Sequence, residues 1–377
     1  MAAIYDETSG VDYSTISAAI TGSSANDVLL VPAGSYDENF PSITHNLTID
    51  AVGGLASLTT PQPIPINGRA ILDVPLNAGV NLSISGLEIS GAVDTENNGA
   101  GILFEIGNGV LTVNNSWIHG NQDGILTGSP TASSPGGVMT VTINKSEINN
   151  NGVAPSNPMF GFDHNIYAGA LTQLTVTNSY IHDAPGGDEI KSLALVNVIT
   201  GNRIQDGPTA PTSYSIDLSD GGMDTISGNV IEKGASAQNE NFINFGSEGT
   251  YPNSSLAISG NTIVNDRPGG GNLLLNQTRD PNSGDPNFNA NVPATIDGNT
   301  LYNLGTSNLF SDKFGPPFDN ASNNVFLSGP GPTLDTSPGY DVPGFDVIEP
   351  GGLALLLVAV IGIAMSRLSR NIIVARG

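Results

Sequence analysis

Short runs of alternating apolar and polar residues recur along most of this chain and close on Gly or Asn, in one copy with a Lys after the Asn. Leu82–Gly86 (LSISG), Leu111–Asn115 (LTVNN), Val141–Lys145 (VTINK) and Leu174–Asn178 (LTVTN) are four copies. Val198–Asn202 (VITGN), Thr225–Asn229 (TISGN), Leu256–Asn261 (LAISGN) and Thr295–Asn299 (TIDGN) are four more. The central apolar residues are Ile84, Val113, Ile143, Val176, Ile199, Ile226, Ile258 and Ile296, separated by 29, 30, 33, 23, 27, 32 and 38 residues. A period-two pattern means a strand with one buried side. A recurrence of this length means units that bury their apolar sides only by stacking.

Between these phrases lies a second apolar series: Ile102, Ile125, Ile166, Ile190, Ile216, Ile243, Leu274 and Leu309. Two interleaved series predict a coil with at least two strands per turn. The segments are too short and too rich in Asn and Gly for helical repeats. A sandwich would not return the same phrase and turn once per coil. Asn tolerates the left-handed conformation and can stack on its counterpart one coil above. The reading is an all-β, right-handed parallel β-helix, its hand following the crossover rule.

Residues 1–23 are expected to cap the solenoid, with small and apolar residues at helical spacing from Tyr13 to Ile20. Residues 24–326 form the solenoid, 327–346 a Pro/Gly-rich linker and 347–377 a separate tail. The stretch Asp27–Asn39 (DVLLVPAGSYDEN), followed by Asn46–Asp50 (NLTID), resembles the opening coil of the right-handed β-helix proteins that include pectate lyases and pectin esterases. The resemblance covers roughly residues 10–326 and implies fold more than activity, since one fold hosts many functions.

The chain carries 35 acidic and 11 basic residues, a formal charge of −24. Such a surface repels nucleic acid. No cysteine is present, which excludes disulfides, thiolate metal sites and a cysteine nucleophile. Acidic loops such as Asp220–Asp224 (DGGMD) make calcium the one cation to consider, through oxygen ligands.

In the tail, Leu353–Met365 is uncharged and mostly apolar, and Arg367 and Arg370 follow it. As a helix this run spans about 20 Å, short of a ~30 Å hydrocarbon core. With Val347–Pro350 (VIEP) before it, the order resembles the PEP-CTERM sorting signal of Gram-negative bacteria, with Ile348 where that motif has its first proline. The resemblance implies a membrane partner for the tail and a place outside the cell or in its envelope. The first residues, MAAIYDE, carry no basic or apolar leader region, so a leader is expected upstream of this start.

Stacked coils also align the residues flanking the second series. Tyr167, Lys191, Asp217 and Asn244 follow an anchor and should form an outward ladder, with Asn165 and Glu189, which precede one, beside it. Insertions at 129–138 and 152–163 are expected to wall this face. The expected ligand is a polysaccharide, with Lys191, Tyr167, Asp217 and Glu189 as the catalytic candidates and His164, Asn165 and Asn244 as binding residues. A lyase would use Lys191 and Tyr167 as base and acid; a hydrolase would pair Glu189 or Asp188 with Asp217. Acidic neighbours hold a lysine protonated, which speaks against Lys191 as a base. The alternative is a non-enzymatic structural or adhesive protein whose ladder is a surface ion-pair network. Trp117, the only tryptophan, could stack on a sugar or pack at an edge, and His119 and His182 are expected in turns.

Overall fold

The computed structural model describes residues 3–341, apart from 63, 65–68, 77–78, 96–97, 106–107, 129–137, 154, 158–159, 279–291 and 312–318. The chain divides into a unit of residues 1–343 and a unit of residues 344–377. The helix expected in the apolar tail lies outside the described residues, among which no helix is long and apolar enough to cross a membrane.

The first unit is a parallel β-helix with three strands per coil. The phrase strands make the first face, from Asn81–Ser85 through Gly109–Asn114 and Met139–Asn144 to Asp319–Ser322, every pair parallel and in register. Their central residues form one interior column. Leu29, Ile49, Ile84, Val113, Ile143, Val176, Ile199, Ile226, Ile258 and Ile296 are consecutive partners, none of them exposed. Burying each such side chain stabilises the fold by about 1.5–3 kcal/mol relative to leaving it in water.

Past each Gly or Asn turn a second short strand begins. Leu87–Ser90, Trp117–His119, Glu147–Asn149, Tyr180–His182 and Arg203–Gln205 open this second face, which continues to Val325–Leu327. The third face holds the second apolar series: Ala70–Val74, Ala100–Phe104, Asp123–Thr127, Ile166–Ala168, Ile190–Ser192, Ile216–Leu218, Asn241–Phe245 and Asn272–Asn276. Its anchors pair as expected from Ile102 to Leu274. Leu309 is the exception. A short 3₁₀ turn at Thr306–Asn308 shifts the register by one, and Phe310 bridges to Leu274 instead.

The turn between the first two faces uses two residues with different tasks. The first takes positive φ: Gly86, Asn115, Lys145, Asn178, Gly201, Gly228, Gly260, Gly298 and Asn323. The second turns its side chain inward and links coils. Asn202 donates to Asn229 (3.0 Å), Asn229 to Asn261 (2.9 Å), Asn261 to Asn299 (2.9 Å) and Asn299 to Asn324 (3.0 Å). Ser116, Ser146 and Ser179 hold the same place in earlier coils. The stacking residue is therefore the one after the left-handed position.

At the N-terminal end, helix Ile16–Gly22 buries Ile16, Ala19 and Ile20. Thr15 Oγ1 accepts from Ala18 N at 3.0 Å, and the Glu38 carboxylate accepts from Ile16 N and Ser17 N. A small antiparallel hairpin, Ile4–Asp6 with Val11–Tyr13, completes the cap. At the other end, residues 327–341 of the Pro/Gly-rich stretch expected as a linker run back along the second face. Gly331 lies against Val264, Arg203 holds Asp335, and Asp341 reaches Asn115. Prolines and glycines prevent regular structure here, but not docking through backbone groups and single side chains.

Candidate active site on the third face

The outward ladder exists: Leu126, Tyr167, Lys191, Asp217 and Asn244 are successive partners on adjacent coils. It is less open than the sequence implies, because Asp217 and Asn244 are buried and Lys191 is largely covered. Lys191 Nζ lies 3.3 Å from Asp217 Oδ2 and 2.5 Å from Glu248 Oε1. Asn244 donates to the other Asp217 oxygen (2.7 Å) and accepts from Gln277 (2.8 Å). Burial alone would lower the Lys191 pKa, but Asp217 and Glu248 outweigh it and hold the value above normal. A lysine kept cationic in this way has no lone pair to offer as a base. Burial and Asp188 raise Asp217 to about 6, with Lys191 pulling the other way.

Glu189 and Asn165 are not beside the ladder. Both are fully buried and point into the solenoid. Their strands begin only at Ile190 and Ile166, so these residues sit at corners where strand alternation has not yet begun. Asn165 continues a second interior ladder from Asn121 and Asn151 and hydrogen-bonds to Glu189. Glu189 also accepts from Ala184 N, and burial, then Asp206, keeps its carboxyl well above the usual range.

The same corner builds a site that the sequence reading did not single out. Asp123 and His164 open neighbouring third-face coils, and His164 N donates to Asp123 Oδ1 at 3.0 Å. His164 Nδ1 accepts from Asp188 N at 2.9 Å, which leaves the ring proton on Nε2. Burial, then Lys191, lowers its pKa to about 3, so the ring is neutral. Asn98 bridges Asp123 and Arg69. With its amide turned to satisfy both, its nitrogen donates to Asp123 Oδ2 (3.0 Å) and its oxygen accepts from Arg69 Nη2 (2.6 Å).

Asp163 comes from the 152–163 insertion, which is held against the solenoid by a glycine pair. A Cβ on Gly187 would lie 1.7 Å from the Asp163 carbonyl oxygen, and one on Gly186 would strike the Phe160 ring. Asp163 is buried, and its Oδ2 has no hydrogen-bond partner. Burial, then the charge of Asp123, raises its pKa to about 8. Asp123 rises to about 7 through burial, with His164 N–H and Arg69 pulling the other way.

These groups line a cleft of about 460 Å³ that opens on the third face, with Leu126, Tyr167 and the exposed ring of Phe162 as its apolar walls. Of the expected residues, Tyr167 lines the cleft, and His164 supports it through Asp123. Lys191, Asp217 and Asn244 continue along the same face, whereas Glu189 and Asn165 lie in the core. The 129–138 insertion falls almost wholly outside the described residues. Asp220 and Asp224 are buried, and Asp224 accepts from Asn197 at 2.8 Å. Among the described residues, no cluster of three or more His, Cys, Asp or Glu side chains suits a metal ion.

The molecule is thus a parallel β-helix with a carboxyl-lined cleft on one face. No protein-family model matches the sequence, and no curated protein is significantly similar to it. Among solved structures it is similar to an alginate lyase from Paenibacillus sp. str. FPU-7, at 16% identity over 83% of this chain and 92% of that one, TM-score 0.43. It is also similar to the pectin methyl esterase of rice weevil, at 14% identity over 85% and 88%, TM-score 0.35. Similarity this distant assigns no residue a role.

Proposed function

We propose that the chain binds polysaccharide along the third face and cleaves it by hydrolysis at the cleft of Asp123 and Asp163. The observation that carries this reading is the Asp163 carboxyl, buried and unpartnered at Oδ2, lining the same cleft as Asp123. A pair of carboxyls in one cleft, with burial keeping a proton on one of them near neutral pH, is an arrangement that acid–base cleavage of a glycosidic bond can use. Asp163 keeps its proton near neutral pH and gives it to the leaving oxygen. Asp123, held by Asn98 and His164 N–H, accepts a proton from the water whose oxygen bonds to the anomeric carbon as the glycosidic bond breaks, with Tyr167 and Phe162 as sugar-packing surfaces. The hydrolase reading thereby moves from Glu189 or Asp188 with Asp217 to Asp123 with Asp163, and Lys191 belongs to the ion-pair ladder beside the cleft.

The tail belongs to the same proposal. Residues 347–377 hold the protein at the envelope of a Gram-negative cell, which puts the cleft where polysaccharide is found. The hydrogen bonds that join Lys191, Asp217, Asn244 and Gln277 to one another favour a second reading, in which the face binds without turnover.

One experiment separates them: a reducing-sugar screen of the full-length protein against plant, algal and bacterial polysaccharides, with glycan-array binding in parallel. Asp163→Asn should lower turnover by at least about a hundredfold, the scale of general-acid catalysis. Lys191→Ala should keep most of it. Array binding without release from any substrate would establish the binder.

A further inference from the structure

The second face carries a row of rings and charges that the cleft does not use. Trp117 and His119 stack at 3.9 Å between ring centres, and Tyr180 and His182 do the same two coils on. Trp117 Nε1 donates to Asn149 Oδ1 (2.8 Å), and the Arg203 guanidinium lies 4.3 Å over the Tyr180 ring. Aromatic faces fixed beside Asn, Glu, His and Arg side chains can take both the apolar side and the hydroxyls of a sugar.

The returning C-terminal stretch occupies this row. Tyr340 stacks on Trp117 at 5.9 Å and 20°. Gly339 N donates to Glu147 Oε2 at 2.9 Å. Arg203 donates to the carbonyls of Asp335 (2.9 Å) and Pro338 (3.2 Å) and lies 3.2 Å from the Asp335 carboxylate. Lys145 Nζ lies 3.4 Å from Asp341 Oδ2. The stretch thus offers a flat ring, a hydrogen-bond donor and two carboxylates. The cations that receive the carboxylates belong to coils two steps apart, about 10 Å at the usual strand spacing.

We propose that residues 331–341 are a displaceable strap filling a site for an acidic saccharide. Tyr340 stands in for a sugar ring on Trp117, and Asp335 and Asp341 stand in for uronate groups at Arg203 and Lys145. The inference extends the saccharide reading to a second face, and it is tested by a signal that the cleft does not generate. In a protein of charge −24, a polyanion needs such paired cations to approach. The strap's carboxylates keep them neutralised until a ligand with more carboxylates competes.

Trp117 is the only tryptophan, so its emission reports this site alone. The full-length protein is titrated with galacturonate hexasaccharide, and with cellohexaose as the neutral control. Asp335→Asn and Tyr340→Ala, each exposed or half-exposed, loosen the strap without entering the core. Both should make Trp117 more accessible to acrylamide. Both should tighten the galacturonate titration, by about tenfold if the strap is closed nine parts in ten. Arg203→Gln should weaken it. Asp163→Asn should leave the Trp117 titration unchanged, so a failed cleft and a failed strap give different results. Trp117 emission that does not respond to galacturonate in any of these proteins overturns the proposal. So does a lowered melting temperature with no change in titration, which makes the strap a brace only.

Discussion

Asp163 shows how a single side chain can set a pH response. Its folded pKa of about 8 lies above the ordinary aspartate value, so between those limits the folded protein binds a proton that the unfolded chain has released. Stability falls with rising pH wherever the native state holds the extra proton. Asp163 therefore withdraws stability as pH climbs from about 4 to about 8, and Asp123 does the same up to about 7. Asp163→Asn should raise the melting temperature at pH 8 and leave it nearly unchanged at pH 4, read by differential scanning fluorimetry. His182 has a dependence of the same sign, in a higher window. Burial would lower its pKa, but hydrogen bonds to Asp183 and Glu147 raise it to about 9, so its charged form adds stability that disappears as pH rises through 9. At this scale the sequence was legible wherever strand alternation held. Ile84 and Ile190 point inward and Lys191 outward, as the period-two rule requires. Glu189 and Asn165 broke the rule because they stand at corners. Asp123 and Asp163 were hidden for a related reason: they reach one cleft from different coils, and nothing local in sequence pairs them.

The interior asparagine row makes each coil depend on the next. Asn229 accepts from the backbone and side-chain nitrogens of Asn202, at 2.8 and 3.0 Å, while donating to Asn261 and to the Ile199 carbonyl. Asn229→Ala strands two buried donors, at about 1–3 kcal/mol each, and should lower urea-unfolding stability by roughly 3 kcal/mol. Asn229→Ser should lose less, because a hydroxyl can still accept from the neighbour's backbone, as Ser146 and Ser179 do. The repeated Gly-Asn pair announced this turn in the sequence. Its division of labour did not show there, because Gly and Asn both tolerate positive φ and only coordinates reveal which residue bends and which one links. The returning strap was illegible for a different reason. Its contacts come from carbonyls, one ring and scattered carboxylates, which leave no periodic trace, so its composition read as a linker.

The solenoid grows by adding coils, and nothing in its stacked columns says where to stop. The strap has a fixed reach of its own, and so measures how many coils it can cover. From Gly331 on Val264 to Asp341 on Asn115 it passes five coil steps, about 24 Å at 4.8 Å per step, with ten residues that reach at most about 33–36 Å. One additional coil between Asn115 and Val264 leaves the span within reach. Two raise it to about 34 Å, where the chain has no slack left to bend around Arg203 and Tyr180. A protein with two duplicated coils in this stretch should therefore fold, since its columns and asparagine row simply lengthen, yet show Trp117 as open to acrylamide as the Tyr340→Ala variant; with one duplicated coil, Trp117 should stay covered. The number of coils that stay covered would then be bounded by the length of a segment that takes no part in their stacking.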